Sequence, residues 1–163
     1  MITSIEPGTI GNKTLNAKWV KETAKTRALK KAKDYLLVMA FSYQGLVDQL
    51  KYDGFSESDA KYGVDNCGAN WREQALRKAK SYLSSMSFSY DGLLEQLKYE
   101  GFSESEAKYG VDNCEANWRE QAVRKARSYI SNMSFSYDQL VSQLEYEGFS
   151  HEDAVYAANE VLN

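Results

Sequence analysis

The apolar residues of the chain recur at helical spacing over most of its length. Between residues 90 and 97 they occupy positions i, i+3, i+4 and i+7, which predicts a short amphipathic helix. Ser89 precedes this stripe and is a good N-cap residue, while Gly101 follows it and favours a helix end. The stripe consists of Tyr90, Leu93, Leu94 and Leu97.

A second and longer pattern begins directly after this short helix. Ser103 and Glu106 have the spacing of a capping box, which predicts a new helix start. Over residues 107–133 the apolar positions keep steps of three or four, without a proline or a turn cluster. We therefore expect one continuous helix of roughly 45 Å. The same pattern over 60–86 predicts a second such helix.

The pattern as a whole predicts an all-α protein with short connections between its helices. Gly63 and Gly110 fall inside predicted helices, and Ala157 in the equivalent place indicates close packing rather than a need for positive φ. The expected core residues include Leu93, Leu97, Trp118 and Tyr129. The predicted helices cover residues 17–39, 43–53, 57–86, 90–100, 104–133, 137–147 and 151–162.

The pattern recurs with a period of 47 residues, and the tyrosines show it best. A period of this size indicates one supersecondary unit copied in tandem. We expect three tandem 47-residue helix-turn-helix-like repeats joined by long shared helices, with a flexible segment at 1–16 and repeats at 17–69, 70–116 and 117–163. The twelve tyrosines are Tyr35, Tyr43, Tyr52 and Tyr62, then Tyr82, Tyr90, Tyr99 and Tyr109, then Tyr129, Tyr137, Tyr146 and Tyr156.

Composition and charge narrow the class of protein. The formal net charge is -3, which gives no bulk attraction to nucleic acid or anionic lipid. No apolar run reaches the roughly 18 residues of a membrane span. The segment MITSIEPGTIGNKTLN has neither the basic nor the apolar region of a signal peptide. An exported protein would need a signal that lies outside this sequence.

The two cysteines also obey the repeat. Cys67 and Cys114 are one period apart, and Val161 takes the third place. Because valine substitutes for them, we interpret both as small buried hydrophobic residues with free thiols. A disulfide or a reactive thiol is the alternative, although equivalent sites in different repeats should lie too far apart to be bridged.

No set of residues predicts catalysis. His151 is the sole histidine, and it falls at the start of the last predicted helix, where a surface position is expected. The sequence has no Cys/His cluster at ligand spacing, no glycine-rich phosphate loop and no nucleophile elbow. Its carboxylates fall on polar helix faces, which are ordinarily solvated. We therefore predict a non-enzyme with no cofactor, no metal and no small-molecule substrate.

The short helix, glycine turn and following helix have helix-turn-helix proportions, so a nucleic-acid-binding array is the alternative function. A helix that enters a DNA groove should begin with donors and positive charge. Here the following helix begins with Glu104, Ser105 and Glu106, which would repel phosphates. The sequence therefore disfavours nucleic acid as a partner.

Two tyrosines of each repeat flank the glycine turn. Tyr99 lies about 180° from Tyr90 on its helix, and Tyr109 also falls outside the apolar line of its own helix. Two interpretations stay open: the rings pack on a neighbouring long helix with their hydroxyls in water, or they form a protein interface with the nearby carboxylates. The candidate partner-binding residues are Tyr52, Glu57, Asp59, Tyr99, Glu100, Glu104, Glu106, Tyr109, Tyr146, Glu147 and Glu152.

The repeated string resembles a known family. FSYDGLLEQLKYEGFSESEAKYGVDNC at 88–114, with ANWREQAVRKARSYI following, is similar to the Ltp family of host cell surface-exposed lipoproteins, which occur in prophages and in low-GC Gram-positive bacteria. The resemblance starts near residue 28 and recurs three times along the chain. It implies tandem helix-turn-helix-like units joined by a rigid helix.

The resemblance also implies a function. Family members are exported, are held at the cell surface through a lipidated cysteine, and act in superinfection exclusion by blocking the injection of phage DNA. The expected partner is a phage tail or injection protein bound outside the membrane. The resemblance supplies no catalytic residue. We expect a monomer whose contact with the membrane is made through a lipid anchor that this sequence does not contain.

Overall fold

The computed structural model describes residues 22–162, and every regular element in that range is a helix. The all-α prediction is confirmed. The segment predicted to be flexible, 1–16, and the first residues of the helix predicted from 17 lie outside the described range. The helices of the described range are α1 (Ala24–Val38), α2 (Tyr43–Tyr52), α3 (Glu57–Asn66), α4 (Trp71–Ser85), α5 (Tyr90–Tyr99), α6 (Glu104–Asp112), α7 (Trp118–Asn132), α8 (Tyr137–Tyr146) and α9 (His151–Leu162).

Three successive helices form one repeat, so repeat 1 holds α1–α3, repeat 2 holds α4–α6 and repeat 3 holds α7–α9. In each repeat the first helix packs mainly on the third, and the short middle helix closes one side. The core of each repeat is a separate cluster of buried residues. In repeat 2 that cluster contains Leu93 and Leu97, which are completely buried as expected.

The turn after each short helix follows from its glycine. Gly101 has φ of +88°, which a residue without Cβ adopts at low cost. Its amide donates to Lys98 O, and the amide of Phe102 donates to Leu97 O, so the helix ends in a Schellman motif. The buried Phe102 ring then joins the core of the repeat. Ser103 and Glu106 form the predicted capping box at the start of α6.

The prediction of long shared helices is wrong. The chain leaves helical geometry after Asn66 and after Asp112, and new helices begin at Trp71 and Trp118. The first break follows Cys67, where Gly68 has φ of +76°, and Asn70 then caps α4 by accepting the amides of Arg72 and Glu73. A left-handed residue followed by an N-cap residue ends one helix and starts another.

The second break has the same construction. Glu115 has φ of +60°, and the side chain of Asn117 accepts the amide of Glu120. The apolar positions nevertheless keep their phase across the gap. Unbroken phase is therefore not proof of an unbroken helix.

Close packing explains the glycines inside helices. A Cβ at Gly63 would lie 2.7 Å from the backbone carbon of Ala28, and one at Gly110 would lie 2.8 Å from that of Ala75. The third helix of repeats 1 and 2 thus crosses the first helix at backbone contact. In repeat 3 the corresponding Ala157 is completely buried against α7.

The joints between repeats combine one tryptophan with polar contacts. Trp118, the first residue of α7, packs on the core of repeat 2, with its ring centroid 5.5 Å from that of Tyr90. Trp118 and Tyr129 have most of their surface covered, as expected, although neither is completely enclosed in the way that Leu93 and Leu97 are. Trp118 lies at an edge between repeats because a one-turn gap, and not a helix, precedes it.

Hydrogen bonds to backbone carbonyls complete each joint. The Ser89 hydroxyl of repeat 2 donates to Glu147 O of repeat 3 over 2.6 Å, and Arg124 of repeat 3 donates to Leu83 O of repeat 2 over 2.9 Å. The joint between repeats 1 and 2 repeats this arrangement: Ser42 donates to Glu100 O over 2.6 Å, Arg77 donates to Leu36 O over 2.7 Å, and Trp71 packs on Tyr43.

Candidate partner-binding surface

The last residue of each short helix is an exposed tyrosine. Tyr52, Tyr99 and Tyr146 leave 88%, 88% and 87% of their surface in solvent. None of their side chains makes a hydrogen bond, ion pair or ring contact with a residue in the range 22–162. Each faces outward because the leucines of its helix, such as Leu97 two positions earlier, occupy the core. These rings add nothing to the packing of their repeats, which leaves them available to a partner.

The second tyrosine at each turn has a different environment. Tyr109 is half-buried, its hydroxyl donates to Glu73 Oε1 over 2.9 Å, and Arg72 lies above its ring. The packing interpretation therefore describes Tyr109, whereas the interface interpretation applies to Tyr99. The cation–ring pairs of the three repeats are Lys25–Tyr62, Arg72–Tyr109 and Arg119–Tyr156, at 5.3, 6.0 and 4.9 Å from the ring centroids.

The acidic residue that follows each exposed tyrosine holds its own repeat together. The Glu100 carboxylate accepts a hydrogen bond from the Tyr82 hydroxyl and pairs with Lys78 Nζ at 2.8 Å. Gln96 donates to the same hydroxyl over 3.2 Å. Repeat 3 repeats the cluster with Glu147, Tyr129, Lys125 and Gln143, and repeat 1 does so with Asp53, Tyr35, Lys31 and Gln49.

These contacts change the acidity of both partners. Burial raises the pKa of the Glu100 carboxyl, but the hydrogen bonds from Lys78 and Tyr82 outweigh it, and the net pKa is below the ordinary 4.5. The pKa of Glu147 is lowered in the same way. Burial and the hydrogen bond to Glu100 raise the pKa of the Tyr82 hydroxyl. The Glu100 and Glu147 carboxylates are therefore ionised parts of the fold.

The carboxylates at the start of the third helix of each repeat differ in availability. Glu57 pairs with Lys61 at 2.7 Å, and Glu106 accepts the amide of Ser103 over 2.8 Å. Glu152 pairs with Arg119 in repeat 3. Asp59 accepts the hydroxyl of Ser56 at 2.7 Å. Four of the predicted site residues thus have local partners.

Glu104 is the exception among these carboxylates. It is exposed, and its side chain makes no hydrogen bond or ion pair with the described part of the chain. Together with Tyr99 it forms what we call the open corner of repeat 2. The sequence analysis placed Glu100 in this surface but did not include its partners Lys78 and Tyr82. The available signal was that a lysine and a tyrosine occur 22 and 18 residues before the acidic residue in all three repeats.

The geometry of the third helices bears on the nucleic-acid alternative. The helices α3, α6 and α9 each begin with carboxylates in their first turn. Carboxylates there complement the helix dipole, but they present negative charge where a groove-binding helix meets phosphates. The arrangement resembles a helix-turn-helix in shape and lacks its charge.

The cysteines and the histidine have structural surroundings. Both thiols are free, and each donates to a carbonyl in its own repeat, Cys67 to Val64 O over 3.0 Å and Cys114 to Val111 O over 3.1 Å. Burial raises the pKa of the Cys114 thiol, which disfavours the reactive thiolate. His151 is exposed and contacts Glu145 at 2.7 Å.

No group of three or more His, Cys, Asp or Glu side chains among residues 22–162 is arranged to hold a metal ion. None of the helices in the same range combines the length and the apolar character that crossing a membrane requires.

The fold and this surface define a tandem array of three-helix repeats whose turns carry exposed tyrosine. The family of host cell surface-exposed lipoproteins, Lipoprotein_Ltp, matches the chain three times, at residues 23–67, 70–114 and 117–161. The chain therefore belongs to this family, which is described as exposed on the surface of the host cell. Each family match spans the three helices of one repeat.

A solved structure supports the same assignment. Ltp, a superinfection exclusion protein from the Streptococcus thermophilus temperate phage TP-J34, is 35% identical to this chain, with a TM-score of 0.54. The similarity covers 56% of this chain and 95% of the solved chain. The covered part of this chain is a little shorter than two of its 47-residue repeats. No curated protein matches the sequence significantly.

Proposed function

We propose that this chain is the protein-binding part of a cell-surface lipoprotein that acts in superinfection exclusion, without catalysis. Its partner is a phage tail or injection protein that arrives at the cell surface. Membership of the surface-lipoprotein family and the similarity to a solved superinfection exclusion protein support the process. The observation that carries the binding role is the set of three exposed tyrosines, Tyr52, Tyr99 and Tyr146, at equivalent turns.

Tyrosine suits such a surface for physical reasons. Its ring supplies contact area at a low cost in side-chain entropy, and tyrosine is enriched among the residues that dominate binding energy. Three equivalent tyrosines on one chain also permit several weak contacts with one extended partner, which raises the overall affinity without a deep pocket.

The charge of the open corner indicates the chemistry of the partner. Glu104 is exposed, makes no hydrogen bond or ion pair within the described residues, and follows Tyr99 across the Gly101 turn. The pKa of Lys98 is raised mainly by its hydrogen bond to Glu95 and also by the charge of Glu104. A basic or amphipathic segment of a phage protein fits such a corner. The long-range part of the attraction should weaken as salt is added.

The experiment is an infection assay on cells that display the chain at their surface. Replacing Tyr52, Tyr99 and Tyr146 with serine should abolish protection against the phage and remove the phage protein captured in a pull-down from virions. The matched control replaces the same residues with phenylalanine, which keeps the rings and should retain most of the binding. Full protection by the serine variant would refute the tyrosine surface.

A separate variant tests the charge. Glu104→Lys should weaken capture at low salt while the fold is kept, with only a small loss of stability, because the carboxylate makes no hydrogen bond or ion pair in the described range and acts on the fold through the α6 dipole and the nearby charge of Lys98. Substitutions at Glu100 or Glu106 are unsuitable for this purpose, since both support the fold. Unchanged capture by Glu104→Lys would exclude the acidic corner, and a salt-sensitive gel shift with DNA would favour the nucleic-acid alternative instead.

A further inference from the structure

The end of α1 carries apolar residues that the other repeats lack. Leu37 and Val38 leave 81% and 80% of their surface exposed. One and two periods later the chain has polar residues at both positions, namely Ser84, Ser85, Ser131 and Asn132. Because the repeats otherwise share their apolar pattern, this pair is a specific feature of repeat 1.

Packing within the protein does not account for the pair. The neighbouring Leu36 contacts the core of repeat 1 and gives its carbonyl to Arg77 of the joint, but Leu37 and Val38 are not part of any core cluster. Two adjacent aliphatic side chains with this exposure cost solubility and contribute no stability. Such a patch ordinarily serves a contact with another surface.

Positive charge lies on the same side of the helix. Lys33 and Lys30 precede Leu37 by four and seven positions, which places all three on one face of α1. The exposed Asp34 lies on the same face, so Arg27, Lys30, Lys33 and Asp34 together give it a formal charge of +2. Arg27 lies one turn before Lys30 and Lys31. The side chains of Arg27, Lys30 and Lys33 are exposed and make no hydrogen bond or ion pair within residues 22–162.

Repeat 2 uses the equivalent positions internally, and in repeat 3 Arg124 does so, whereas Arg127, the counterpart of Lys33, is exposed without a hydrogen bond or ion pair within residues 22–162. Gln74 and Arg77 of α4 occupy the places of Arg27 and Lys30, and there Arg77 bonds across the joint to repeat 1. Lys80, which corresponds to Lys33, pairs with Glu115 at 3.8 Å. The first turn of α1 also has no acidic residue, whereas α4 and α7 have one each. Among the described residues, repeat 1 thus has more cations without a partner on its first helix than either of the other two repeats.

We propose that this face of α1, made of Arg27, Lys30, Lys33, Leu37 and Val38, binds an anionic lipid surface. The apolar face of α1 packs inside repeat 1, so only its cations and the two aliphatic residues at its end can lie against a membrane interface. The cations contact lipid phosphates, and the aliphatic side chains enter the boundary between headgroups and acyl chains. Each cation near an anionic surface adds attraction that falls off within a Debye length.

The net charge of the chain makes this contact local. The protein carries -3 in total, so the attraction must come from α1 and not from the molecule as a whole. A member of a lipoprotein family is held beside a lipid surface, which gives a weak contact of this kind a high effective concentration. Repeat 1 then faces the membrane and repeats 2 and 3 extend from it. This inference does not depend on the phage partner proposed above.

Vesicle binding tests the proposal on the whole chain. The protein should float with vesicles of phosphatidylglycerol and phosphatidylcholine in equal parts, bind pure phosphatidylcholine vesicles much more weakly, and dissociate as salt is added. Replacing Leu37 and Val38 together with serine recreates the pattern of repeat 2 and should weaken binding roughly three- to tenfold. Lys30→Gln with Lys33→Gln should remove most of the salt dependence.

Control variants distinguish lipid binding by α1 from damage to the joint and from self-association of the protein. Leu37→Ser alone avoids Val38, which lies beside the joint with repeat 2, and should still weaken binding. Met86→Ser, an equally simple change at a half-exposed residue of repeat 2, should have no effect. Equal binding by the parent and the double-serine variant, or no binding to either vesicle, would overturn the proposal. Self-association that depends on Leu37 and Val38 in sedimentation would also overturn it, because the face would then be a contact between copies.

Discussion

Single residues in this protein serve two structures at once, and Glu100 is the clearest case. Its carboxylate accepts from Tyr82 and Lys78 within repeat 2, while its backbone carbonyl accepts the Ser42 hydroxyl of repeat 1. The position after Tyr99 therefore fixes a turn, a repeat and a joint. Tyr99 itself bears none of these duties, so its exposed ring can change without cost to the fold.

The carboxylate cluster predicts an acid-sensitive contribution to stability. The folded pKa of Glu100 lies below its ordinary value of 4.5, so its stabilising effect is complete above that value and is lost as the pH falls through the folded pKa. Glu100→Gln with Glu147→Gln should therefore lower the free energy of unfolding at neutral pH and flatten its decline in acid. Urea unfolding at a series of pH values measures both effects.

An exposed glutamate supplies the control for this measurement. Glu95 pairs with Lys98 at 2.7 Å on the surface of α5, with 67% of its side chain exposed. Glu95→Gln should change stability little at any pH, because exposed ion pairs contribute little. If the free energy of unfolding of the Glu100/Glu147 variant falls as steeply in acid as that of the parent, other carboxylates are responsible for the loss of stability at low pH.

The sequence allowed the outward direction of Tyr99 to be predicted, since it depends on the helical period alone. The engagement of Glu100 could not be predicted in the same way. Its partner Lys78 lies on another helix, and the contact depends on how α4 and α5 pack. Local periodicity determines which face a residue occupies, but not which tertiary partner it meets there.

At the scale of helices, the residues that cap each helix were predicted more reliably than whether two helical segments form one unbroken helix. The starts at Ser89 and Ser103 and the end at Gly101 were all correct, because each depends on a local hydrogen-bonding rule. The break near Glu115 was missed because the apolar phase continues across it. Asn117 followed by Glu120 has the spacing of an N-cap signal, and this local signal decides where the helix starts even though the apolar phase continues.

The two breaks provide a matched pair of substitutions. Glu115 holds φ of +60° where the equivalent Gly68 holds +76°. A left-handed conformation costs a residue with a side chain roughly 1–2 kcal/mol, part of which is offset by the greater unfolded-state entropy of glycine. Glu115→Gly should therefore stabilise the protein by about 0.5–1 kcal/mol. The ion pair that Glu115 makes with Lys80 is long and exposed, so its loss matters little.

The reverse exchange tests the same reasoning in repeat 1. Gly68→Glu should destabilise the protein by about the amount that Glu115→Gly gains, and thermal or urea unfolding measures both. Destabilisation by Glu115→Gly would mean that its side chain makes a net favourable contribution at this break, and the conformational argument would fail.

At the scale of the molecule, the repeats are joined more weakly than they are folded. Each repeat has its own core, and each joint adds one half-buried tryptophan and hydrogen bonds from a serine and an arginine. In an array of this kind, stability is close to the sum of the repeat stabilities and the interface contributions. The joints therefore decide whether the chain unfolds as one unit.

Trp118→Ala tests the joint between repeats 2 and 3. The ring packs on Tyr90 and the core of repeat 2 but is not completely enclosed, so its loss should cost about 1–3 kcal/mol, less than a closed core position. Because the loss falls on an interface, repeat 3 should then unfold before the rest. Hydrogen exchange should show lower protection in α7–α9 than in α1–α6, with a broader urea transition.

Trp71→Ala is the matched variant, since Trp71 packs on Tyr43 in the first joint as Trp118 does on Tyr90 in the second. It should move the boundary of lost protection to the junction of repeats 1 and 2, so that α1–α3 separate from α4–α9. The position of the boundary is the decisive result, because a general loss of core packing would lower protection without moving it. If both variants lower protection uniformly along the chain, the repeats are coupled more strongly than one ring and two hydrogen-bonding side chains allow.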